Sequence, residues 1–394
     1  MIHWLCSMAF AADPDPAFER LSRKGERLTR KTEVAEQRWT ACDGTPGDPD
    51  LDKVRAKAER GLIDARSRQV CVLRVLEAWE EPERDVRVLF ATNRRSVDGL
   101  FVARDADRLG YGIATVHIPA RHPVGALERE LVVTAIEPLT EEGFLIAVAG
   151  ELRAAGPSAE LLTYVHGYNN SFDYAARRTA QIVHDLDGPI VPVLFAWPSH
   201  GGEWFSSAKY TYDENAAARS SSLFADLLDQ LLSGTGGAPV NVLAHSMGSR
   251  VVVDALVDLD RRDALRHPLD DLVFAAPDVD AAVYGRRYLD LSLEASRRVT
   301  VYCASDDRAL KVSRGVHGGY DRLGSCRPDT ITALERPQLD IVDASKLYVD
   351  LLDHDKVADS PRLLSDLSEL LSGVPAGDPA RALVDRVTHY ELPP

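Results

Sequence analysis

The stretch Val240–Val252, V-N-V-L-A-H-S-M-G-S-R-V-V, constrains this chain more than any other. Its first residues read as a short buried strand, and Arg250 to Leu259 reads as a buried helix. Between them, Ala244-His245-Ser246-Met247-Gly248 is a close variant of the small-x-Ser-x-small elbow. A strand that turns at once into a helix brings its two ends into contact, so the positions two before and two after the serine must be small. Gly248 meets that demand and Ala244 meets it with one methyl. Ser246 is the only serine flanked in this way by Gly or Ala. Such a turn would lift the Ser246 hydroxyl clear of the sheet, beside a helix N-terminus that favours developing negative charge. A tight turn carrying an idle serine would look the same, so the rest of the chain has to decide.

The 394 residues suffice for one large α/β domain with an appendage. A net charge of −15 argues against a nucleic-acid partner, because little here would neutralise phosphates. No apolar run approaches the roughly 18 residues that read as a transmembrane helix. Residues 1–12 end in Ala9-Phe10-Ala11-Ala12, which reads either as the end of a truncated export signal or as a frayed apolar start. The compartment therefore stays open between periplasmic or secreted and cytoplasmic. Without Cys6, four cysteines are left, and Cys303–Cys326 is the easier pair. Cys42–Cys71 would have to span about 30 Å along a helix at about 1.5 Å per residue. No Cys-x-x-Cys occurs, so a zinc site is not expected. Asp48, Asp50 and Asp52 read as a turn followed by a helix N-terminus better than as a calcium site, so no metal is expected, and a serine triad would need no cofactor.

Residues 13–80 read as a helical hairpin. Phe18, Leu21, Gly25, Leu28, Thr32, Ala35, Trp39 and Cys42 form one seam; Leu51, Val54, Ala58, Ala65, Val72, Leu76 and Trp79 form the other. Asp43–Pro49 is the turn. A module of this kind suits packing, self-association or a protein partner. From residue 81 to 372 the pattern becomes alternating. Strands are expected at 86–90, 114–118, 131–136, 161–165, 192–196, 240–244, 272–276, 299–303 and 339–342, and helices at 171–186, 214–232, 250–259 and 361–371. Near-continuous apolar strands between helices imply a mostly parallel central sheet covered on both faces. Residues 373–394 read as a loosely held C-terminal tail.

An active serine needs a base, a group to orient the base, and donors for the oxyanion. On this kind of sheet the oxyanion loop precedes the serine, and the acid and then the histidine follow it. Val165-His166-Gly167-Tyr168-Asn169-Asn170 ends an earlier strand. Gly167 would let the backbone approach the substrate, and the Tyr168 and Met247 amides would converge on the oxyanion. Asp307 ends the later strand of two that offer an acid, with Asp306 and Asp280 in reserve. His354 lies between the last strand and the last helix, whereas His317 precedes that strand and His389 falls in the tail. Trp197, Trp204, Phe205, Tyr210 and Tyr212 form an aromatic-rich insertion where a lid or acyl pocket would sit.

Taken in order, Phe90-Ala91-Thr92-Asn93-Arg94, V-H-G-Y-N-N, F-A-W-P-S at 195–199, A-H-S-M-G, A-A-P-D at 275–278, S-D-D-R-A-L at 305–310 and the His354 loop resemble a poorly characterised bacterial α/β-hydrolase family of the esterase/lipase superfamily, of the domain-of-unknown-function type. The resemblance covers about residues 84–372. It implies the α/β-hydrolase fold and a triad of Ser246, Asp307 and His354 without a cofactor. It departs at Asp306, where an amide is usual, and the hairpin lies outside it. The expectation is a serine hydrolase acting on a small-molecule carboxylic ester. A thioesterase or amidase would use the same residues. The rival is a non-catalytic binding module that engages a partner through residues 13–80.

Overall fold

The structure, a computed structural model, describes residues 14–40, the eight residues 57, 58, 61–63, 65, 66 and 69, and 82–393 apart from 128–129, 187, 202–206, 266–267 and 348–355. His354, Trp204, Phe205, Cys42, Cys71 and the expected turn at 43–49 lie outside the described residues.

Among the described residues eleven strands form one sheet, in the order β10 (Val384–Asp385), β11, β9, β8, β7, β6, β4, β5, β1, β2, β3. Eight of them, β11 (Tyr390–Glu391), β9 (Leu339–Asp343), β8 (Ser296–Cys303), β7 (Leu269–Ala275), β6 (Val240–His245), β4 (Glu160–Val165), β5 (Ile190–Ala196) and β1 (Arg84–Val97), run parallel. β2 (Leu100–Ile118) and β3 (Val132–Leu139) extend one edge as an antiparallel meander. The central strands are buried on both faces, which is why they read as unbroken apolar runs. β6 sends Val240, Val242 and Ala244 to one layer and Leu243 to the other. The first layer holds α2 (Glu141–Ala155), α4 (Ser207–Gly234) and α5 (Gly248–Arg261); the second holds α3 (Phe172–Leu186) and, after α6 (Leu289–Ala295), α7 (Arg308–Val316) and α8 (Pro328–Leu334), α9 (Pro361–Leu371). Among the described residues no helix is long and apolar enough to cross a membrane.

The strand order positions the site. From β4 the chain moves outward to β5, then crosses back to lay β6 on the other side of β4. Such a reversal leaves a crevice at the carboxyl ends of the two strands. Val165 ends β4 and His245 ends β6, so the V-H-G-Y-N-N loop and the Ser246 turn emerge side by side.

Several elements differ from the sequence expectation. β2 starts at Leu100, because Asp98 (φ 51°) and Gly99 (φ 81°) make a two-residue hairpin turn that joins it to β1. α2 was not expected; Phe144, Val148 and Leu152 bury its inner face and Thr140 caps it. α4 starts at Ser207, which puts Tyr210 and Tyr212 on a helix instead of in a loop. The segment 373–394 is no loose tail. β10 (Val384–Asp385) and β11 (Tyr390–Glu391) join the sheet beside β9, and Arg381 and Leu392 are fully buried. Cys303 and Cys326 form a disulfide with Cα atoms 5.2 Å apart. At the N-terminus α1 (Pro14–Thr40) is a long helix, and Arg66 to Glu36 (2.7 Å) and Gln69 to Thr29 (3.1 Å) tie it to the described residues of the 57–69 stretch.

Candidate active site

Ser246 has φ 53°, in the left-handed region. For a non-glycine residue that conformation costs on the order of 1–3 kcal/mol and persists only where the surroundings impose it. Here they do. The Ser246 amide donates to the Ala275 carbonyl (2.9 Å), and its own carbonyl accepts from Asp278 (3.1 Å) and Ser249 (3.1 Å). A Cβ on Gly248 would stand 2.5 Å from the carbonyl oxygens of both Val165 and His166, so β4 and α5 touch through that glycine. Met247 is fully buried, and no side chain caps the N-terminus of α5.

Gly167 lies against the serine. A Cβ there would be 2.9 Å from Ser246 Cβ and 3.0 Å from His245 Nδ1. The loop it belongs to is held from beneath. The Trp197 indole donates to the His166 carbonyl (2.6 Å) and stacks on the His166 ring at 5.0 Å. Asn169, with φ 60°, donates its amide to Asp213 (3.1 Å), and the Asn170 amide donates to Ser199 Oγ (3.1 Å). Ser199 Oγ in turn donates to Asp213 (2.6 Å). From the far side Arg94 donates to the carbonyls of Asn170 (2.6 Å) and Ser199 (3.0 Å). Burial lowers the Arg94 pKa to about 9, against the pull of Asp213, so it stays charged at neutral pH. Burial and the Arg94 charge lower His166 to about 3, and its Nδ1 bonds the Gly167 carbonyl (2.9 Å). His166 is therefore neutral near neutral pH and a weak base there.

Asp307 ends the turn after β8 at the same edge, two strands from β6. It is 1% exposed and caps α7 by accepting the Leu310 amide (2.9 Å). The reserve acids are placed differently. Asp306 is half-buried beside it, and Asp280 caps a short turn through Val283 (2.9 Å). Asp278, one strand earlier, is consumed by a buried network. Ser313 (2.6 Å) and Tyr210 donate to it, and Arg250 and Arg322 flank it. Burial alone would raise its carboxyl; the two guanidiniums and the hydroxyls hold it below the ordinary range. The chain on either side of 348–355 is fastened: Ser345 bonds Asp343 and Ser305, and Asp359 accepts from Arg178 (2.6 Å). His317 is taken up elsewhere, by Glu214 (2.7 Å) and the Ser313 carbonyl (2.7 Å).

The structure thus brings Ser246, Met247, Gly167 and Tyr168 together, with Asp307 at the same sheet edge. It gives two of the pocket candidates, Trp197 and Tyr210, another place. Trp197 has no exposed surface, and the Tyr210 hydroxyl is spent on Asp278 and Ser313, so both support the loops from behind. Tyr168 packs on Tyr210 at 5.4 Å and stays partly exposed. Sequence reasoning assigned no role to Arg94, Ser199 or Asp213. Arg94 ends the F-A-T-N-R motif and Ser199 ends F-A-W-P-S, but nothing local says that a charge at the end of β1 reaches a loop after β4.

The family model described as alpha/beta hydrolase of unknown function (DUF900) matches residues 149–372, more than half of the chain. Among solved structures, an esterase of Pyrobaculum calidifontis in a monoclinic crystal form aligns with 84% of this chain and 98% of its own, at 14% identity and a TM-score of 0.34. No curated protein matches the sequence.

Proposed function

Because the chain belongs to the family of alpha/beta hydrolases of unknown function, we propose that it is a serine hydrolase that cleaves carboxylic esters through Ser246, His354 and Asp307. The observation that carries the reading is the strained Ser246 pressed against Gly167. A φ of 53° at a serine, with a glycine Cα in the place where a side chain would collide, is the geometry of a nucleophile facing an oxyanion loop.

In the reaction, Ser246 Oγ attacks the ester carbonyl while His354 takes its proton. The amides of Met247 and Tyr168 receive the oxyanion. His354 then returns the proton to the departing alkoxide, leaving an acyl-Ser246. Water, deprotonated by His354, releases the acid and restores the serine. Asp307 holds the imidazole in the needed tautomer. A thioester or an amide would pass through the same steps and differ only in its leaving group.

Labelling with a fluorophosphonate probe tests this. Wild-type protein should label and turn over p-nitrophenyl esters, and Ser246→Ala should do neither. Asp307→Asn should lower kcat by orders of magnitude, about 10⁴-fold where the same change has been made in a serine protease triad. Folded wild-type protein that neither labels nor hydrolyses any ester, thioester or amide in a short-chain panel would refute the assignment. Near-normal turnover in Asp307→Asn would move the acid to Asp306 or Asp280.

A further inference from the structure

We propose that Arg94 is a positioning residue for the oxyanion loop: its guanidinium clamps the loop after β4 to the loop after β5, so that the Gly167–Tyr168 backbone faces Ser246. The proposal rests on the serine-hydrolase reading above and names the residue that sets its oxyanion geometry.

Three observations converge on it. Arg94 is 3% exposed, yet its hydrogen bonds go to carbonyls, Asn170 O and Ser199 O. Among the described residues no carboxylate comes within ion-pair distance of it, and its Nε has no partner. Buried charges are ordinarily paired, because desolvation costs several kcal/mol per ion. A cation held by two backbone carbonyls costs stability that an apolar residue of the same size would not. Secondly, the geometry is a fork between two loops. β1 pairs with β5 through Thr92 and Ala196, and the Thr92 hydroxyl fixes both the Ala196 carbonyl (2.5 Å) and the Arg94 amide (3.1 Å). The Arg94 side chain then starts from a rigid base. Thirdly, an anion matches it from the other side. Asp213 is fully buried and accepts the Asn169 amide (3.1 Å), Ser199 Oγ (2.6 Å) and the His200 amide (3.0 Å). The loop is gripped by its carbonyl from Arg94 and by its amide from Asp213 at adjacent residues. That grip holds Asn169 in its left-handed conformation, one residue beyond Tyr168.

Such a clamp acts on the transition state more than on substrate binding, since the oxyanion donors must meet an oxygen that develops only there. Arg94→Met keeps the volume and removes the fork; Arg94→Lys keeps the charge and loses the bidentate geometry. In Arg94→Met, kcat on a p-nitrophenyl ester should fall by about 10²–10³, the loss seen when an oxyanion donor is removed. KM should stay within about threefold, and affinity for an arylboronic acid, which forms a tetrahedral adduct with the serine, should weaken in parallel with kcat. Arg94→Lys should melt near the wild-type temperature and recover only a fraction of kcat. Unchanged kcat and boronate affinity in a folded Arg94→Met would overturn the proposal, as would a loss carried by KM. Should Arg94→Met fail to fold, wild-type kcat in Arg94→Lys would overturn it and a depressed kcat there would sustain it. A wild-type protein without fluorophosphonate labelling or turnover would instead remove the serine-hydrolase reading, and this inference with it.

Discussion

Two glycines do different work around Ser246. Gly248 is the contact between strand and helix: an added Cβ meets two carbonyl oxygens of β4 and its loop at 2.5 Å, and neither can rotate away. Gly248→Ala should therefore act on stability, at the upper end of the about 1–3 kcal/mol typical of overpacking. Thermal unfolding would read it. Gly167 borders the nucleophile itself, and its added Cβ meets Ser246 Cβ at 2.9 Å. Gly167→Ala should displace the serine by tenths of an ångström, cost less stability and lose at least about tenfold in kcat, since misplacement of about 1 Å can cost 10²-fold. Melting within a few degrees of wild type together with depressed kcat is the expected pair of readings. Wild-type turnover in Gly167→Ala would mean that the loop does not abut the serine during catalysis. The requirement at 248 was legible in the sequence because it follows from the turn alone. The one at 167 became quantitative only when β4 and β6 were shown side by side.

At the scale of elements, the parallel strands were legible because both their faces are buried, so burial and sequence carry the same signal. The C-terminal strap was not, because its buried apolar residues, Leu383 and Leu392, stand too far apart to set a period, and a buried charge pair holds it beside them. Asp366 on α9 is fully buried and takes two bonds from Arg381, at 2.9 and 2.8 Å, and one from the Tyr302 hydroxyl at 2.6 Å. Two-residue strands and one buried guanidinium leave no periodicity for a sequence to show. Arg381 nonetheless ties the last segment to β8 and α9, behind the strand that leads to Asp307. Arg381→Ala would leave the Asp366 carboxylate buried and unpaired, and should cost about 3–5 kcal/mol in urea unfolding. Adding Asp366→Leu should recover much of that loss, because the penalty lies in the abandoned charge. A single variant with wild-type stability would show that the strap carries no such charge pair. The helix α2 escaped notice for a different reason: its buried face is only three residues, Phe144, Val148 and Leu152.

Across the whole molecule, the topology decides where chemistry can occur and also how the protein responds to acid. The reversal between β4 and β6 puts His166 under the candidate site, fully buried, with its pKa lowered to about 3 by burial and by Arg94. In the unfolded chain a histidine titrates near 6.5. Between those values the unfolded state binds a proton that the folded state refuses. Stability therefore rises with pH through that window and falls as pH drops from about 6.5 toward 3, by up to about 1.4 kcal/mol per unit. Asp278 acts in a separate window. Its depressed pKa gives stability that is present above the unfolded value of about 3.9 and is lost as pH falls through the lower folded value. The net charge of −15 works against both, since protonating surface carboxylates relieves self-repulsion on the way down. Only a comparison isolates the histidine. In urea midpoints measured between pH 7 and 4.5, His166→Gln, which never protonates, should show a shallower decline than wild type, by close to one proton's worth of slope. Parallel curves would mean that His166 takes up its proton without unfolding, and that the floor of the site is open to water.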